Sequence, residues 1–254
     1  MKLEIRNLRF LRNILILLTM IALAGYLIFA VVYTSPLPDG DVCRRIETRV
    51  LDADELGFIN EKDVQNQLGR MNQKYIGTQI GKIDFNEIET LIKKNPFVCE
   101  ASCYYTADGA IRIDVTQRRP KFRVMTAYGN FYIDEQRQRM PTSTRFSVYV
   151  PVVTGIVNDD FLCGALYDFV DEIEDDDFWR SQITQIRVMP KNELQLTPRV
   201  GNHVICLGTL DGADEKLEKL RTFYRKGLPY IGWNRYRVID LRYKNQVVCT
   251  KKSL

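Results

Sequence analysis

DFNEIETLIKKNPFVCEASCYYTADGAIRIDVTQRRP, residues 84–120, holds one helix and one hairpin in an order that sets the fold class. Asp84 followed by Glu87 has the spacing of a helix N-cap with its acidic third position. Ile88, Leu91 and Ile92 then line one helical face. Lys93 and Lys94 put cations at the negative end of the helix dipole, and Pro96 stops the helix. Residues 97–105 and 110–115 read as strands joined through Asp108-Gly109, a tight-turn pair. Pro120 ends the unit.

Upstream, residues 42–51 read as a first strand. Asn60 and Asp63 repeat the cap spacing, and Val64 and Leu68 give a short helix its apolar side. Residues 41–120 are therefore expected as a β-α-α-β-β domain. Downstream, residues 121–254 read as strands with two helices. Strands are expected at 131–133, 149–153, 183–188, 193–197 and 203–207. A helix over 161–173 repeats apolar residues at helical spacing, from Phe161 to Ile173. Its acidic end, Glu172 to Asp177, suits a loop better than a helix C-terminus. A second helix, 213–226, aligns Ala213, Leu217, Leu220 and Tyr224 and stops at Gly227. A hairpin closes the chain, with strands 236–241 and 246–250 around Lys244-Asn245. The class is α+β.

The other end of the chain is of a different kind. Lys2, Arg6, Arg9 and Arg12 stand against Glu4 alone, and no charge follows from Asn13 to Pro38. Ile14 to Val32 is almost wholly apolar and would span about 29 Å as a helix, the thickness of a bilayer's hydrocarbon core. The reading is a cytoplasmic tail (1–13), a transmembrane helix (14–33) and an exported remainder, by the positive-inside rule. A cleaved signal peptide is the alternative, but the run is long for one and lacks a small-residue cleavage site. The chain's net charge of +4 is concentrated in the tail. It is thus a topology signal, not a nucleic-acid footprint.

Catalytic chemistry finds little support. The single histidine, His203, opens an apolar strand and gathers no triad. Asp175-Asp176-Asp177 lacks the alternating spacing of a calcium loop. Thr78-Gln79-Ile80-Gly81-Lys82 lacks the first glycine and terminal hydroxyl of a phosphate loop. Cys43, Cys99, Cys103, Cys163, Cys206 and Cys249 contain no zinc spacing. Cys99 and Cys103, on one extended strand, lie about 13 Å apart, too far for a disulfide. The favoured reading is that most are small buried hydrophobes; the alternative is that either Cys99 or Cys103 meets Cys43 on a neighbouring strand. No cofactor, metal, nucleic acid or small-molecule substrate is expected.

Several segments, in order, resemble the bacterial cell-division protein family FtsQ/DivIB. They are Ile80-Gly81-Lys82-Ile83-Asp84 with Ile88 through Val98 and Ala101, Ile113 through Pro120, Tyr132-Ile133-Asp134, Val150 through Gly155, and Ile239-Asp240-Leu241-Arg242-Tyr243. Gln117 stands where the family leads one to expect an acid, and the loop before Ala110 lacks the family's frequent Trp-Pro step. The resemblance implies a single-pass inner-membrane protein at the division septum, its bulk outside the cytoplasm. Residues 41–120 would be a polypeptide-transport-associated (POTRA) domain and 121–254 a β domain. It implies a non-enzymatic scaffold that binds FtsB- and FtsL-like membrane proteins and, through them, regulates the FtsW/FtsI-like septal synthase. Binding would run through strand addition at the last strand, with Arg242, Tyr243, Val247 and Val248 as partner-binding residues. From the residues alone the favoured reading is that Arg242 is a solvated turn residue and Tyr243 rim packing. The resemblance favours the partner role for Tyr243 and leaves Arg242 open. Lys251 and Lys252 would guard the free edge. The alternative function is a POTRA-bearing accessory factor of envelope protein transport.

Overall fold

The computed structural model describes residues 15–30 and 42–252. The expected tail at 1–13, and residues 14 and 31–33 of the expected span, lie outside them. Residues 15–30 form a helix, α1. Among the described residues no helix is long and apolar enough to cross a membrane.

The N-terminal domain builds a three-stranded sheet from β1 (Arg45–Val50), β2 (Val98–Tyr105) and β3 (Ala110–Gln117), in the order β1-β3-β2. β3 pairs with β1 in parallel and with β2 antiparallel. Three α-helices lie between β1 and β2: α2 (Glu61–Leu68), α3 (Arg70–Tyr75) and α4 (Phe85–Lys93). α3 is an addition to the expected β-α-α-β-β order. The Asn60 capping box closes in both directions: the Asn60 side chain accepts from the Asp63 N–H at 3.0 Å, and Asp63 from the Asn60 N–H at 2.9 Å. Asp84 caps α4 through the Asn86 and Glu87 N–H groups. Glu87 itself turns away from that cap and accepts from the Tyr75 hydroxyl at 2.9 Å. Val64, Leu68, Ile88 and Ile92 pack against Ile111, Ile113 and Val115 on one sheet face. Each such fully buried aliphatic side chain contributes roughly 1.5–3 kcal/mol.

Gln117, where the resemblance leads one to expect an acid, is matched to its surroundings. Its side-chain amide donates to Asp52 at 3.1 Å and to the Leu56 carbonyl at 2.8 Å, and its oxygen accepts the Ile59 N–H at 2.9 Å. Both Asp52 and Gln117 are buried. A carboxylate at 117 would face the Asp52 carboxylate, so the amide is what this site admits. The minority reading, that Cys43 meets Cys99 or Cys103 on a neighbouring strand, is corrected: β3 lies between β1 and β2, and all six cysteines are free. Cys43 and Cys103 are buried, and burial pushes the Cys103 thiol up to about 12, which keeps it protonated and inert.

The C-terminal domain is one nine-stranded sheet. Its strands are β4 (Pro120–Thr126), β5 (Gly129–Asp134), β6 (Arg139–Pro141), β7 (Val152–Gly155), β8 (Ile183–Val188), β9 (Leu194–Pro198), β10 (Val204–Gly208), β11 (Tyr236–Asp240) and β12 (Val248–Lys251). They lie in the order β12-β11-β10-β9-β8-β7-β4-β5-β6. Pro120 opens β4 instead of ending the preceding unit. Phe122 and Val124 alternate inward there, and only two residues separate β3 from β4. The expected 161–173 helix divides at Gly164 into α5 (Asp159–Cys163) and α6 (Ala165–Asp175). The acidic run is no loop: Asp176 caps a further helix, α7 (Asp177–Gln182), by accepting the Phe178 and Trp179 N–H groups. Asp176 and Asp177 thus sit at the positive end of the next helix, while Glu172, Glu174 and Asp175 close α6. α8 (Ala213–Lys226) and a single-turn α9 (Leu228–Ile231) complete the domain. α6 and α8 bury Leu166, Phe169, Val170, Leu217 and Leu220 against Val153, Ile186, Leu196, Ile205 and Ile239.

The two domains meet at the β6 end of the large sheet. Leu56 and Phe58 from the first domain and Tyr132 and Met140 from the second form one buried cluster. Beside it Asp134 is fully buried and accepts from the Arg118 guanidinium at 2.6 Å. Asp134 also accepts the Gln136 and Gln138 N–H groups.

Candidate functional site

The last hairpin leaves one sheet edge open. β11 runs parallel to β10, with Ile239 opposite Ile205 and fully buried. β12 returns antiparallel to β11, pairing Cys249 with Ile239 and Val248 with Asp240. Among the described residues no further strand borders β12. Asn245 turns the chain at φ 59°, a left-handed conformation that asparagine tolerates.

The four sequence-predicted site residues all fall on this hairpin. Arg242 is held within its own chain: its Nε and Nη2 reach the Asp240 carboxylate at 3.0 and 2.6 Å, and Glu193 lies 3.8 Å from Nη1. The Arg242 hydrogen bonds hold the Asp240 carboxyl below its usual range. Gly208, at φ +78°, makes room for this arrangement, since a Cβ there would come within 2.7 Å of the Arg242 stem. Tyr243 is half exposed, and its carbonyl accepts from Lys219 Nζ at 3.2 Å. Val247 packs partly buried against the core, outside the strand proper; Val248 is exposed and begins β12. Lys251 lies exposed at the far end of β12, and the Lys252 N–H donates to the Arg235 carbonyl.

Beside the hairpin runs a groove of about 690 Å³ between α8 and residues 245–247. Phe223 and Val247 give it apolar walls; Glu218, Lys219 and Lys226 stand along it. Sequence reasoning missed the α8 contribution. A signal was present: Phe223 falls one position outside the buried stripe of Leu217, Leu220 and Tyr224. Its ring packs partly buried at the rim of the core, meets Tyr236 at 6.2 Å, and leaves a face to the groove.

An open edge can accept a strand through its unpaired backbone groups, and the adjoining groove can take apolar side chains from the same segment. His203 belongs elsewhere: it is buried, and its Nε2 lies 2.7 Å from the Tyr224 hydroxyl. Burial lowers its pKa. Among the described residues no group of histidine, cysteine and acidic side chains is placed to hold a metal ion.

A family model described as FtsQ/DivIB, C-terminal related, matches residues 119–250, more than half of the chain. The chain belongs to the FtsQ/DivIB family. A second model, for a POTRA-like domain, matches residues 41–116. No curated protein matches. The α+β architecture is therefore a POTRA-like domain followed by the strand-rich FtsQ/DivIB domain, and the latter match contains the hairpin, the open edge and α8.

Proposed function

We propose that this chain is a membrane-tethered, non-enzymatic division scaffold that receives a strand from an FtsB- or FtsL-like partner at β12. Family membership supports a division role. The observation that carries the binding mode is β12 itself: a free edge of a nine-stranded sheet, with a half-exposed tyrosine at the hairpin turn and an apolar groove alongside. Backbone pairing along β12 supplies affinity, and the groove selects side chains. Tyr243 offers a large ring at low entropic cost. Arg242, engaged by Asp240, shapes the turn and presents a half-exposed guanidinium beside it.

α1 supports the tether. Leu15, Leu18, Met20, Leu23 and Ile28 are each more than half exposed and lie on different sides of the helix. A helix apolar all round belongs in a protein core or in lipid. With Lys2, Arg6, Arg9 and Arg12 held in the cytoplasm, both folded domains face the other side, and the partner synthase is of the FtsW/FtsI type.

The test is binding of the full-length chain, in detergent micelles, to the FtsB–FtsL ectodomains of its host. Wild type binds; Tyr243→Ala and a chain cut after Tyr243 keep their circular dichroism spectra and lose binding. A folded wild type that does not bind removes the partner assignment.

A further inference from the structure

A separate set of contacts concerns the joint between the domains. Residues 142–151 carry no helix or strand, yet they lie across the boundary as a strap. Phe146, Val148 and Val150 from the strap pack on the Leu56–Phe58–Tyr132–Met140 cluster, which draws on both domains. Phe58 is the centre of this contact. Its ring stacks on Phe97 at 5.5 Å and 9°, and takes Phe146 edge-on at 5.0 Å and 85°. Tyr132 approaches it from the second domain at 6.2 Å and 73°. Gly57 is what lets the strap seat: a Cβ at that position would come within 2.9 Å of the Phe146 ring.

Polar contacts run in parallel with the aromatic ones. Arg118, in the two-residue link, donates from its backbone to the Phe97 carbonyl at 2.8 Å and from its side chain to the Pro96 carbonyl at 3.2 Å. The same guanidinium reaches buried Asp134 of the second domain. Arg119 pairs with Glu55 at 2.6 Å, and Arg145 of the strap pairs with Asp63 of α2. Under that last pair lies a cleft of about 470 Å³. The strap is therefore seated on Gly57 by one aromatic ring and bridged to α2 by one exposed ion pair.

We propose that the strap is a latch that makes the two domains one cooperative body, with Phe146 on Gly57 as its catch. Closed, it keeps the POTRA-like domain at a set position relative to β12. Released, it leaves the domains joined by the short link, its arginines and the Leu56–Phe58–Tyr132–Met140 contact without its cover.

The two tryptophans, Trp179 and Trp233, both lie in the C-terminal domain, so their fluorescence reports that domain alone. Exchange of the β3 amides reports the other. In a urea titration of the full-length chain in detergent micelles, the two midpoints coincide in wild type. In Phe146→Ala they separate by about 0.5 M urea or more, a shift that ordinary denaturant slopes resolve. Gly57→Val displaces the same ring without removing a core atom, and it separates the midpoints if Phe146→Ala does not fold. Separate midpoints in wild type, or coincident midpoints in the variants, overturn the latch.

Discussion

The nine-stranded sheet is finished differently at its two ends. At one end β6 has only three residues, carries Pro141, and buries Met140 against the first domain. At the other, β12 has four residues, one neighbour among the described residues, and exposed side chains at Val248, Thr250 and Lys251. Each end also has an arginine–aspartate pair. Arg118–Asp134 is almost wholly enclosed; Arg242–Asp240 has its arginine half in solvent. The same residue types thus do different work. At the β6 end they hold two domains together, and at the β12 end they shape a turn beside a free edge.

The largest effect expected from breaking this contrast is at the enclosed pair. Asp134→Ala leaves the Arg118 guanidinium buried without its carboxylate and strips acceptors from the Gln136 and Gln138 N–H groups. A loss of roughly 3–5 kcal/mol is expected, read by urea denaturation. Gln117→Glu acts on the same side by placing a carboxylate against Asp52. It is expected to cost about 2 kcal/mol at neutral pH. The new carboxyl's folded-state pKa lies above its unfolded value. The loss therefore shrinks on acidification, as measured by the denaturation midpoint against pH.

On the β12 side, His203 sets a pH dependence of known sign. Burial lowers its folded-state pKa, so the unfolded chain binds the extra proton first. Its contribution to stability is complete above the usual histidine value of about 6.5 and is lost as pH falls from there towards the folded value. His203→Gln removes that component, seen as a flatter midpoint between pH 7.5 and 5.5 than in wild type. Smaller still is Arg242→Ala, expected at about 0–1 kcal/mol because the pair is solvent-screened. Tyr243→Ala comes last for stability, within about 0.5 kcal/mol, while abolishing partner binding. Equal losses for Asp134→Ala and Arg242→Ala would erase the distinction between the two ends.

Local chemistry was legible wherever it was governed by near neighbours in sequence. The Asn60 box, the Asp84 cap, the α8 stripe and the Asp108-Gly109 hairpin follow from spacings of a few residues. β4 was also legible in principle, since Phe122 and Val124 alternate, but Pro120 reads as a stop when the strand's partners are unknown. Asp176 reads as a poor helix ending until α7 is seen to begin there. The site divides in the same way. The last hairpin was readable from its turn residues and strand pattern, while the partner role of Tyr243 rests on the family resemblance. The α8 wall of the groove was not readable, because Phe223 lines a groove with residue 247 only after the sheet has brought the hairpin alongside the helix.

By itself the sequence determined the α+β class, the division into two folded units and the identity of the final hairpin. Periodicity, caps and turn residues act over a few positions and leave their mark in the chain. Only the tertiary structure decided that β3 separates β1 from β2, that Gln117 answers Asp52, and that Arg118 spans two domains to reach Asp134. It alone decided which edge of the large sheet stays open. Those outcomes depend on which distant segments share a low-dielectric interior, where an unpaired polar group is costly and a partner far along the chain must be found for it.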